Sequence, residues 1–118
     1  DRGQTWSHRA DGLAAHYGRA IAVHPSDPDC LLASFSNGPH ADVNAQLFRS
    51  DDEGRGWAHV TDGFPSETSD NIDTFRLGFS VDGKAWAAVE ERLYVSGDRG
   101  RSWTVAWAAP RPILAIAC

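Results

Sequence analysis

The sequence predicts an all-β fold of repeated four-stranded antiparallel units, and three observations carry that expectation. A short box, Asp-x-Gly-x-x-Trp, occurs three times, as Asp1 to Trp6, Asp52 to Trp57 and Asp98 to Trp103, with Ser50 and Ser96 two residues ahead of the second and third copies. The box tryptophans lie 51 and 46 positions apart, and Asp11-Gly12 and Asp62-Gly63 follow the first two at the same offset. Between the boxes run short apolar segments, punctuated by turn residues too closely for helices. Four short strands per unit at this period is the spacing of β-propeller blades.

The elements follow in chain order. Residues 1–11 are expected to supply the last strand of a preceding blade and 112–118 the first strand of a following one. Residues 19–60 form one blade, with strands Ala20–Val23, Leu31–Phe35, Leu47–Ser50 and Trp57–Val60. Residues 72–107 form the next, with strands Thr74–Phe79, Ala85–Val89, Leu93–Ser96 and Trp103–Trp107. Val81-Asp82-Gly83-Lys84 reads as a two-residue hairpin between apolar runs. In each box the Asp carboxylate is expected to accept backbone N–H groups just ahead of it, and the Gly to supply a positive φ. The Trp then starts a strand and faces the core. Burying one Trp stabilises by an upper estimate of about 4–6 kcal/mol, from roughly 150–250 Å² at about 25 cal/mol/Å².

Composition narrows the classes. The chain has 118 residues, 42% apolar, and a net charge of −5, which excludes disorder. Eleven basic residues against sixteen acidic ones, without a basic cluster, give no nucleic-acid footprint. No apolar run is long enough to span a bilayer. The five histidines, at positions 8, 16, 24, 40 and 59, have no metal-ligand spacing, and no glycine loop cradles phosphate, so no metal or cofactor is expected. Cys30, placed in a turn region, and Cys118 are expected as free thiols, and they leave the compartment open. Propellers close with about four to eight blades. Two blades and two flanking strands therefore need partners, from the same chain or from other subunits. The start inside a box and the absence of Met favour a piece of a longer protein over a short subunit that assembles into a ring.

The boxes resemble the BNR or Asp-box repeat, Ser-x-Asp-x-Gly-x-Thr-Trp, of sialidases and related β-propellers. Ser96, Asp98, Gly100 and Trp103 match with Ser102 at the Thr position. Ser50, Asp52, Gly54 and Trp57 match with Gly56 there, and Asp1, Gly3, Thr5 and Trp6 match from the Asp onward. Ala22 to Pro28 and Leu47 to Ser50 are similar to the broader YVTN/BNR-like propeller group. The resemblance implies that the boxes are structural, in the turns between third and fourth strands, and that ligand sites lie on the opposite face. On this chain that face comprises residues 11–18, 36–45, 62–73, 90–92 and 108–111.

Chemistry on that face is sought in three places. The loop Ser36 to Ala45, whose counterpart in the next blade is only Glu90-Glu91-Arg92, presents His40, Asp42 and Asn44; the alternative is a solvated insertion. The connection Ser66 to Asp73 carries Glu67, Asp70 and Asp73, and a glycosidase needs two carboxyls about 5–10 Å apart. Arg76, with Arg19 and Arg111, stands near the start of a first strand, where the resemblance implies an anion clamp. No Arg-Ile-Pro segment accompanies it, and Tyr17 and Tyr94 read as packing or loop residues. The expected function is a binding or scaffold module for a protein, peptide or glycan on the loop face. The alternative is part of a sialidase-like or other propeller glycoside hydrolase, with its catalytic residues mostly outside this segment.

Overall fold

Two antiparallel meanders hold the eight strands among the described residues. The computed structural model describes residues 1–40 and 42–118. Strands β1 (Tyr17–His24), β2 (Asp27–Ser36), β3 (Gln46–Ser50) and β4 (Ala58–His59) pair in sequence order into one antiparallel sheet. Strands β5 (Leu77–Phe79), β6 (Ala85–Val89), β7 (Arg92–Ser96) and β8 (Thr104–Ala108) form the second in the same order. Both are blades of a propeller segment. No helix among the described residues is long and apolar enough to cross a membrane.

Several expected elements differ. Thr74–Arg76 is a 3-10 turn and not strand, because Asp73 O accepts the Arg76 N–H at 2.8 Å and the Thr74 hydroxyl donates to Arg19 O at 2.9 Å. The Val81–Lys84 hairpin is wider than two residues: Phe79 pairs with Ala85, and the Ser80 N–H donates to Lys84 O at 2.9 Å. The Gly83 N–H donates to Ser80 O at 2.8 Å and the Asp82 carboxylate accepts the Ser80 hydroxyl at 2.6 Å, so backbone and side chain close the turn together. Cys30 lies inside β2, fully buried, with its thiol 3.8 Å from Arg99 O; burial pushes the thiol pKa up. Residues 1–11 and 112–118 carry no strand, since neither has a ladder partner among the described residues.

The three boxes adopt one geometry. Arg2 and Gly3, Glu53 and Gly54, and Arg99 and Gly100 are consecutive left-handed residues, with φ of 60 and 82°, 59 and 79°, and 64 and 84°. Ser96 Oγ donates to Asp98 Oδ1 at 2.7 Å and accepts the Gly100 N–H at 2.8 Å, while Asp98 Oδ1 accepts the Ser102 N–H at 2.9 Å. Ser50, Asp52, Gly54 and Gly56 repeat these bonds at 2.7, 2.9 and 2.9 Å. Indole N–H groups of Trp6 and Trp103 donate to the box glycine carbonyls at 3.0 Å.

Burial of the box tryptophans is unequal. Trp103 is 3% exposed, Trp57 half-buried and Trp6 90% exposed, so the expectation that each Trp enters a core holds fully only for Trp103. Trp103 packs against the connection from the preceding blade, its ring 5.3 Å from Phe64; Trp6 has no such segment packed on it among the described residues. The core accordingly lies between the two sheets, where Ala20, Ala22, Leu32 and Leu47 meet Leu77, Ala85, Ala87, Tyr94 and Trp103.

Candidate functional site

The turns alternate between two rims. The boxes and the β1–β2 and β5–β6 turns share one rim, as Arg99 Nη1 bonded to Asp27 Oδ2 at 2.5 Å illustrates. The β2–β3 loop, the 60–76 connection, the β6–β7 turn and the chain after β8 share the other. On this second rim the Val43 N–H donates to Ser69 O at 3.0 Å, and Ala45 and Thr68 exchange backbone hydrogen bonds at 2.8 and 2.9 Å.

A cleft of about 250 Å³ opens there between the blades, lined by Arg19, Pro39, His40, Asp70, Asn71, Asp73 and Arg76. Four expected residues, His40, Asp70, Asp73 and Arg76, thus converge from two segments, the β2–β3 loop and the 60–76 connection. Asn71, buried beneath them, fixes the loop to the connection: its Oδ1 accepts the Ser36 hydroxyl at 2.7 Å and its Nδ2 donates to Gly38 O at 3.0 Å. Ser34 Oγ donates to Ile72 O at 2.6 Å and accepts the Ala20 N–H at 3.1 Å, seating the connection on the first blade.

Charge in the cleft is largely internal. Arg19 donates through Nε to Asp73 Oδ1 at 2.6 Å and through Nη2 to the same atom. Hydrogen bonds to Tyr17 and then Asp73 push the Arg19 pKa up. Arg76 forms no ion pair among the described residues; its Nε donates to Leu114 O at 3.4 Å, and its guanidinium lies 5.7 Å from the Phe75 ring centroid. Arg76 is therefore the cation left for a ligand, with His40 as a further polar group and Asp70 as an acceptor.

Two expected residues do something else. Asp42 and Asn44 do not line the cleft; they adopt left-handed backbone, φ 55 and 50°, on either side of buried Val43. Short polar side chains tolerate that conformation, and the pair turns Val43 inward. The loop is thus anchored by a buried residue and is not a purely solvated insertion. Ala41 lies outside the described residues. Arg111 is exposed and does not line the cleft. Pro39 and Asn71 were not expected as site residues; Asn71 is singled out only by its bonds to Ser36 and Gly38, which join positions far apart in sequence.

Fold and cleft together define a two-blade β-propeller segment with a polar inter-blade depression on one rim. A solved GH74 xyloglucanase from Xanthomonas campestris is similar to it, with a TM-score of 0.52 and 25% identity over 72% of this chain. The chain spans 13% of the length of that enzyme. No protein-family model matches the sequence, and no curated protein matches it either.

Proposed function

We propose that this chain is a two-blade segment of an Asp-box propeller of the BNR type, and that its inter-blade cleft binds a glycan. The observation that carries the reading is the convergence of His40, Asp70, Asp73 and Arg76 on one depression, on the rim opposite the boxes. Alternating donors and acceptors suit a ligand whose hydroxyls both give and take hydrogen bonds. The boxes support the family assignment through their shared left-handed turns and serine–aspartate bonds. Titrating glycans onto the full chain tests it: Asp70→Asn should weaken binding at unchanged Tm. Binding indifferent to Asp70 and Arg76 but abolished by a box substitution at unchanged Tm would overturn the assignment of the two rims.

A second reading is favoured by one specific observation, the likeness to a glycoside hydrolase. On that reading the segment contributes ligand contacts to a hydrolase whose catalytic groups come mostly from other blades. Asp73 is already bonded by Arg19 and acts as a positioning residue for it. Hydrolysis of the bound glycan by the full chain, lost in Asp70→Asn, would distinguish this reading from pure binding.

A further inference from the structure

We infer that the cleft is one end of a continuous groove for a linear, neutral oligosaccharide of at least three sugar units; this rests on the glycan reading above. Two further depressions share walls with the cleft. Asp70, Asn71 and Arg76 line both the cleft and a neighbouring depression of about 130 Å³ closed by Glu90 and Ile113. Thr68, Ser69, Val89 and Glu90 in turn line that depression and a third, of about 300 Å³, which reaches Arg92 and Tyr94. Segment Thr68–Asn71 is thus a common wall along which one ligand can pass through all three spaces.

The wall is held in place by the backbone. Thr68 exchanges hydrogen bonds with Ala45, Ser69 O accepts the Val43 N–H, and across the groove Glu90 O accepts the Ile113 N–H at 2.7 Å. These bonds also argue against a peptide. An extended peptide gains affinity by adding to a free strand edge, and both backbone groups of Thr68 and the carbonyl of Ser69 are already engaged.

Charge decides between sugar classes. Arg19, Arg76 and Arg92 line the groove together with Glu67, Asp70, Asp73 and Glu90, and Asp73 neutralises Arg19. With no surplus of positive charge, the groove offers nothing to a carboxylated sugar that it does not offer to a neutral one, and its acidic groups repel the former. Glu90 occupies the shared wall of the second and third depressions in left-handed backbone, φ 53°, in the tight turn between Val89 and Arg92.

The test is calorimetric titration of the full chain with neutral β-linked gluco-oligosaccharides of two to six units, with sialyllactose as the anionic comparator. Affinity should rise by about tenfold or more from the shortest to the longest, and sialyllactose should bind more weakly than any neutral sugar of its length. Ser69→Trp, which fills the middle of the groove, should bring the hexasaccharide down to the disaccharide's affinity at an unchanged melting curve. Length-independent binding that is still lost in Arg76→Ala overturns the groove and leaves the cleft standing. Tighter binding of sialyllactose, or of an unrelated extended peptide, overturns the ligand class. No binding of any sugar overturns the groove and the glycan reading together.

Discussion

Gly63 and Trp103 meet backbone to backbone: a Cβ on Gly63 would lie 1.8 Å from the Trp103 carbonyl oxygen, and the Trp103 N–H donates to Asp62 O at 2.9 Å. The same approach recurs one unit earlier, where a Cβ on Gly12 would lie 3.1 Å from Trp57 O. Each Asp-Gly pair therefore docks on the box tryptophan of the following unit, which explains why it recurs at a fixed offset. Both glycines have positive φ, 70 and 88°. Gly63→Ala should cost about 3 kcal/mol or more, from overlap added to left-handed strain. Gly12→Ala should cost about 1–2 kcal/mol. Gly38, with nothing within 4 Å of its added methyl, serves as the neutral control. Urea midpoints of the three variants give the order, and equal losses at Gly63 and Gly38 would refute the docking.

Tryptophan burial predicts a graded series. Trp103→Ala removes a ring that is 3% exposed and should cost about 3–5 kcal/mol. Trp57 is half-buried, its indole N–H donating to Arg9 O at 3.2 Å, and Trp57→Ala should cost about 1–2 kcal/mol. Trp6→Ala should change the stability of this chain by about zero, since Trp6 is 90% exposed. Equilibrium denaturation in urea reads all three, and a loss at Trp6 as large as at Trp103 would contradict the packing described.

Acid should loosen the turns. Partial burial pushes Asp98 up, but the Ser102 hydroxyl and N–H, the Ser96 hydroxyl and the Arg101 N–H outweigh it and hold the carboxyl at about 2, against an ordinary 3.8. The Ser80 hydroxyl and then Lys84 hold Asp82 at about 2 as well, and the Gly56 N–H and then Ser50 lower Asp52. A carboxyl depressed in the folded state contributes stability that is complete above its unfolded value and is lost as pH falls through its folded value. Stability from these groups should therefore hold above about pH 4 and drain between about pH 4 and 2. Asp98→Asn should lower stability at pH 7 and shallow that decline, as measured by urea midpoints at stepped pH. A decline equally steep in the variant would place the titrating groups elsewhere.

The blades were legible because their signals are local. Asp-x-Gly signals a tight turn with positive φ at its glycine, so Gly54 and Gly100 could be placed before any packing was known, whereas the left-handed Glu53 and Arg99 ahead of them could not. Strand edges were less so: β1 extends to Tyr17 and β2 back to Asp27 because pairing with a neighbour, not composition, sets the ladder's length. Cys30 was misplaced for the same reason, the turn signal Ser26-Asp27-Pro28 lying next to a strand that pairing carries through it. The cleft was half legible. Polar residues on the right rim could be named, but Arg19 with Asp73 and Asn71 with Ser36 join residues 54 and 35 positions apart. Nothing in local sequence distinguishes the arginine that is neutralised from the one that is not, or shows that Asp42 and Asn44 turn a buried valine inward.

That distinction gives the last prediction. Arg19 and Arg76 stand on the same cleft, but only Arg19 is paired, with a carboxylate side chain that is 16% exposed. Removing Arg19 leaves Asp73 without its cation, so Arg19→Ala should lower the Tm, though only modestly because the pair is partly exposed. Arg76→Ala removes a guanidinium that holds one long hydrogen bond to Leu114 O and no carboxylate, so Tm should barely move. Glycan affinity should fall by about tenfold in Arg76→Ala, equivalent to about 1.4 kcal/mol. Arg76→Lys should recover only part of it, because an ammonium keeps the charge without the planar fork. Paired measurements of Tm and affinity on the three variants separate the roles. If Arg19→Ala abolishes binding at unchanged Tm while Arg76→Ala merely destabilises, the assignment of the two arginines is reversed.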